Sequence, residues 1–204
     1  MTHQRLLFFG FTSVFVIIVA FCVLAGGYTS FWRSKSRIEN AKTFLTDACQ
    51  KRMDLLPDLI KLGEKNSAQV AVSSMERTAK KSSEILQQVI SHKTPLDLVL
   101  IKEFEISQFE LTLQIIEMFK QLQSSLDKED AKQLNTVKDL FATAQNTLFV
   151  TGKKYNDEVN YFNVRVVSFF TSSLAKLFGF NKLTYVNLPK DLFLPAKETF
   201  AHRS

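Results

Sequence analysis

The chain has 204 residues, with 26 Lys and Arg against 20 Asp and Glu and a net charge of +6. That length allows one domain with a real core, and the weak, mixed charge excludes a nucleic-acid-binding tract, because no basic run with interleaved aromatics occurs. Only two cysteines, Cys22 and Cys49, are present, which excludes a disulfide framework and agrees with a reducing compartment.

Residues 6–32, LLFFGFTSVFVIIVAFCVLAGGYTSFW, carry no charge and lie between Arg5 and Arg33. A helix of about 20 mostly apolar residues crosses the hydrocarbon core of a bilayer, so this run predicts a single-pass transmembrane anchor after a short N-terminal segment, 1–5. Val23-Leu24-Ala25 resembles a signal-peptide cleavage site, but the run exceeds the usual signal core, which favours a retained anchor. Phe21 is too bulky to precede a lipidated Cys22. Tyr28, Phe31 and Trp32 close the run with rings suited to the headgroup level. Trp32, Arg33, Lys35 and Arg37 are therefore candidate membrane-interface residues, each basic one worth about 1 kcal/mol beside anionic lipid. One basic residue precedes the run and four follow closely, Arg33, Lys35, Arg37 and Lys42. The positive-inside bias thus places the N-terminus outside the cell membrane and the following domain in the cytoplasm.

Six glycines and four prolines in the whole chain predict long helices with short connections. From Arg33 to Gln50 the inner positions Ile38, Ala41, Leu45, Ala48 and Cys49 recur at helical spacing, so the first soluble helix should continue straight out of the membrane. Pro57 should break it, with Asp54 or Asp58 capping the next start. A second helix is expected over 57–91, with Leu59, Leu62, Val70, Met75, Leu86, Val89 and Ile90 inside. HKTP at 92–95 marks a turn, with Thr94 as cap and Pro95 at the first helical position. The segment 96–126 alternates in part like a strand, yet about 30 residues without Gly or Pro exceed any ordinary strand, and Phe104, Leu111, Ile115, Leu122 and Leu126 fit a helix.

The fourth segment is the most regular. Leu134, Val137, Phe141, Ala144, Leu148, Thr151 and Tyr155 are spaced three and four apart, and Val159, Phe162, Val166 and Phe169 resume the rhythm, as in a coiled-coil stripe. Asp127 or Asp130 should start this rod of about 60 Å. Gly179 should end it or a short successor, and the tail 182–204, with Pro189 and Pro195, should run extended over the bundle. The fold class is all-α: an anchor followed by an antiparallel bundle of long helices over 33–181.

Chemistry is sparse. His3, His92 and His202 are scattered without companion ligands, and neither a phosphate-cradling glycine loop nor a nucleophile elbow occurs. No catalytic residue, cofactor, metal or small-molecule substrate is expected. Two clusters stand out. The first is Lys51-Arg52-Met53-Asp54-Leu55-Leu56-Pro57-Asp58-Leu59. The second runs from Tyr155 to Asn163 and puts Asn156, Asn160 and Asn163 on one helical face. Asparagine is a mediocre helix former, so three on one face imply hydrogen bonds to a neighbouring helix, fixing register, or to a partner.

These clusters resemble the hallmarks of the bacterial LemA family: Arg-Arg-x-Asp-Leu-Ile-Pro-Asn-Leu-Val near the start, met by Arg52, Asp54 and Pro57 with Asp58 at the next position, and Tyr-Asn-x-x-Val-x-x-Tyr-Asn near the end, met by Tyr155, Asn156, Val159 and Asn163. The family's Gly-Phe is met by Gly179 and Phe180. Asp58, Phe162 and Phe170 stand where the pattern has asparagine, tyrosine and proline. The resemblance implies a single-pass membrane protein with a long-helix bundle and no defined activity; one branch takes part in magnetosome membrane formation. Three readings follow from the residues. The first is an anchored scaffold that binds a protein partner or further copies of itself. The second is a membrane-shaping or anionic-lipid-binding protein. The third, more remote, is an enzyme in which Asp54 and Asp58 face Tyr155 and Asn156.

Overall fold

The computed structural model describes the backbone of residues 2–124 and 126–188 and the side chains from Ser13 onward. Among these residues helix is the regular secondary structure, and there is no strand. Helix α1, Thr2–Met53, is continuous. Its side chains from Ser13 to Gly26 are all exposed, in a segment long and apolar enough to cross a membrane. Beyond it, Phe31, Ile38, Ala41, Leu45, Ala48 and Cys49 turn inward at helical spacing and are buried.

As the proline predicts, α1 stops just before Pro57, and α2, Leu56–Lys65, carries Pro57 in its first turn, where the missing N–H has no intrahelical partner to lose. Neither Asp54 nor Asp58 caps it: Leu55 holds the cap position without a side-chain bond. The helix expected over 57–91 is in fact two. Helix α2 ends at Asn66 and α3, Gln69–Ser91, begins after Ser67, whose φ is 58°. Asn66 stabilises that end by donating from its side chain to Leu62 O (2.9 Å) and to Asp130 (3.1 Å). The break shifts the helical phase, so Ala71 and Val72 are buried and Val70 is 84% exposed; Ile90 also faces out.

The turn after α3 follows, and Thr94 does not cap the next helix; its N–H (3.2 Å) and hydroxyl both donate to Glu39. Asp97 is the cap instead, accepting from Val99 N (3.0 Å) at the start of α4, Leu98–Gln123. Of the two candidates for the next helix, Asp127 is the cap, accepting from the N–H of Glu129 and Asp130 (3.0 and 2.8 Å) at the start of α5, Lys128–Val167. Its stripe buries Leu134, Val137, Phe141, Leu148, Tyr155, Val159 and Phe162. Phe169 leaves that stripe because α5 bends off at Ser168 (ψ 138°) into α6, Phe169–Leu177. Gly179, at φ 70°, ends α6, a conformation suited to glycine.

Helices α1 and α5 run antiparallel, with Arg37 against Glu158 (3.2 Å) and Phe31 against Phe162. Helices α3 and α4 form a second antiparallel pair, joined by Lys81 and Glu110 (2.8 Å). Residues 180–188 then return along α5 without regular structure. Pro189 and Pro195 lie outside the described residues. The apolar interior has two parts. One lies toward the bare end of α1, around Phe31, Leu45, Phe104 and Phe162. The other lies at the far end, around Leu59, Met75, Leu111 and Phe141.

Candidate functional site

Between the two apolar parts lies a polar layer. Arg52 is only 1% exposed. Its Nη1 donates to Thr112 Oγ1 (2.8 Å) and Gln145 Oε1 (2.7 Å), and its Nη2 to Gln108 Oε1 (2.6 Å). Gln108 Nε2 in turn donates to Ser82 Oγ (2.9 Å). One arginine thus ties α1, α3, α4 and α5 together. Its five N–H groups form a rigid fork suited to several acceptors at once. No carboxylate belongs to the layer, and Nε meets no acceptor among the described residues. Burial pulls the Arg52 pKa below its ordinary value, and it pushes the neighbouring Cys49 thiol up to about 12, so Cys49 is a neutral packing residue.

Sequence reasoning found Arg52 but missed its partners. The signal was present: Gln108 stands three and four residues from Leu111 and Phe104, and Gln145 likewise from Leu148 and Phe141, so both glutamines occupy inner positions of apolar stripes.

The asparagine cluster forms a second device, and it does not set register between helices. Asn163 Nδ2 donates to Leu183 O (2.8 Å) while Leu183 N donates to Asn163 Oδ1 (2.7 Å). Asn156 does the same with Val186, at 2.6 and 2.9 Å. Asn160 Oδ1 accepts from the Tyr185 hydroxyl (3.1 Å). The partner is the chain's own C-terminal segment, whose Val186 is buried. Pitch explains the fit. Seven residues of helix rise about 10.5 Å, and three residues of extended chain span about 10 Å, so both amides meet the segment in step. Phe180 follows Gly179 and stacks on Phe31 (centroids 4.8 Å). Leu188 lies over Gly152, whose missing Cβ leaves room for it.

Tyr155 is buried beside this clamp, and burial, aided by nearby Glu39, raises its hydroxyl to about 12. Asp54 and Asp58 are exposed at the α1–α2 break, where Asp54 accepts from Gln50 (2.8 Å). They do not face Tyr155 and Asn156. Gln145, not Tyr155, lies opposite Arg52, and ten further residues carry α5 about 15 Å past that level. Among the described residues no three His, Cys, Asp or Glu side chains come together.

Of the interface candidates, Trp32 is exposed and Lys35 lies over its ring (5.7 Å). Arg33 is exposed, whereas Arg37 is engaged with Glu158 (3.2 Å) and the Tyr161 ring (4.6 Å). Phe31 is not part of an aromatic belt: it is fully buried, packed on Phe162 and Phe180 and covered by the Arg165 guanidinium (4.7 Å).

No individually curated protein matches the chain. The family model described as "LemA family" matches residues 45–192. That stretch contains the arginine layer, the α1–α2 break and the asparagine clamp, and covers well over half of the sequence. The chain belongs to the LemA family.

Proposed function

We propose that this protein is a membrane-anchored scaffold, without chemistry of its own, that self-associates through the outer face of α4. One observation carries the reading: α4 is apolar on two sides. Phe104, Leu111, Ile115, Met118 and Leu122 fill the bundle, while Ile106, Phe109 and Leu113 are 52%, 40% and 42% exposed on the opposite side. Half-buried Ile116 continues the outer stripe. The spacing of three, four and three residues is that of a coiled-coil seam, which a helix accepts and a flat surface does not. Exposed apolar side chains grouped on one helix face in this way support an association site.

A second copy supplies the matching seam. With α1 in the bilayer, every copy stands the same way up and holds α4 at the same height, so equal residues meet, Phe109 on Phe109. Confinement to one membrane raises the effective concentration of that encounter. Charge-introducing Phe109→Asp/Leu113→Asp, in the full chain in native membranes, should abolish amine-reactive crosslinking to dimers while leaving the melting temperature of the purified protein within about 3 °C. Unchanged crosslinking in the double variant refutes the reading.

A further inference from the structure

We infer that the corner between α5 and α6, with Phe169 and Phe170 at its tip, is a second membrane contact that inserts into the headgroup layer of the bilayer holding α1. This rests on the reading of α1 as a membrane span.

Phe169 and Phe170 are both 85% exposed, adjacent, and in the first turn of α6. They are there because α5 ends early. Ser168 leaves the helical conformation, and the Thr171 hydroxyl donates to Arg165 O across the bend. The bend takes Phe169 out of the apolar stripe that buries Val159 and Phe162 and points it away from the core.

Height above the membrane follows from register. Arg37 faces Glu158, Phe31 faces Phe162, and Arg165 donates to Ser30 O (3.1 Å). Continued past the end of α5, this antiparallel register sets the corner level with Gly26 and Gly27. Two contacts of α6 and its end agree: Leu174 lies on Gly27, so close that an added Cβ would stand 2.6 Å from it, and Phe178 meets the Tyr28 ring at 5.1 Å. A hydrocarbon core about 30 Å thick takes about 20 helical residues, a length met by Leu6 to Ala25. The corner therefore sits where the hydrocarbon ends.

The occupant is indicated by continuity. The bare apolar side chains of α1 run down to this level, and exposed Val164, Val167 and Leu177 extend the apolar surface around the corner. Lys176 closes the helix with a charge suited to anionic headgroups. A short helix with apolar residues on one edge and aromatic rings at its end lies in an interface, and here it is held there by the anchor beside it.

The test uses the full chain with Cys22→Ser, reconstituted in vesicles of mixed phosphatidylcholine and phosphatidylglycerol. An environment-sensitive dye is placed singly at Phe169→Cys, at Ile17→Cys within the span, or at Val70→Cys on the far, exposed end. Lipids carrying a quencher near the headgroup or deep in the tail then report depth. The expected result is deep quenching at position 17, several-fold quenching by the shallow lipid at 169, and none at 70. If 169 behaves like 70 while 17 is quenched, the second contact is wrong and the span stands. If 17 is also unquenched, the span reading has failed and the inference falls with it. A dye at 169 that is shielded from water yet unquenched by either lipid means that protein covers the corner, which also overturns the inference.

Discussion

Asn163 holds the backbone of Leu183 from both sides, its amide nitrogen donating to the carbonyl and its oxygen accepting from the N–H. Each such bond contributes about 0.5–1.5 kcal/mol net. Asn163→Ala should therefore lower stability by about 1–3 kcal/mol. Asn163→Asp should lower it at least as much, because a carboxylate oxygen then faces the Leu183 carbonyl. Hydrogen exchange at the Leu183 and Val186 amides checks this directly, since protection should fall there before it falls in α1 or α5. Unchanged protection in both variants would mean that the segment is held by its apolar contacts alone.

The Arg52 layer predicts a larger loss. Removing one member of a buried polar network leaves its partners unsatisfied, at about 1–3 kcal/mol for each buried neutral group stranded. Arg52→Ala strands acceptors on Gln108, Thr112 and Gln145 together. Arg52→Lys keeps the charge but cannot fork to three acceptors, so chemical denaturation should rank the variants wild type, Lys, Ala in decreasing stability.

Acid should weaken the far end of the bundle through Asp130. Lys65 (2.6 Å), then Asn66 (3.1 Å), hold its carboxyl below the ordinary aspartate value. A lowered folded value gives a contribution present in full above the ordinary aspartate pKa, near 4, and lost as pH falls through the lowered value. Asp130→Asn should flatten the stability profile between about pH 5 and 2, and thermal melts across that range test it. A profile identical to wild type removes the pair from any role in acid stability.

Tyr155 makes the opposite case at high pH. Burial raises its hydroxyl to about 12, above the ordinary value near 10. Its contribution is complete below the ordinary value and is lost as pH rises through the raised one. Ultraviolet titration should show one of the four tyrosines ionising last, and Tyr155→Phe should remove that final step.

Most of the architecture was legible because it depends on periodicity. The α5 stripe, the continuous α1 and the break at Pro57 all follow from spacing and from the chemistry of proline. What escaped reading depended on distant parts of the chain meeting. Asn66 and Ser67 end α2 with help from Asp130, which a local window does not contain. Phe31 looked like an interface aromatic because its cover, Phe180, comes about 150 residues later. The asparagine face was recognised as a set of hydrogen-bonding residues, but its partner is an extended segment with no periodic signal. Arg52 was singled out, yet its function as the knot of four helices needed Gln108 and Gln145, which a purely apolar reading of their stripes passes over.

The scaffold reading meets its most direct test in a disulfide between copies. Position 109 carries the only cysteine able to react once Phe109→Cys is combined with Cys22→Ser, since Cys49 is buried. Mild oxidation of the full chain in native membranes should then give a covalent dimer through position 109, while Val70→Cys in the same background stays monomeric. If position 109 yields no more dimer than position 70, the outer face of α4 is not where copies meet.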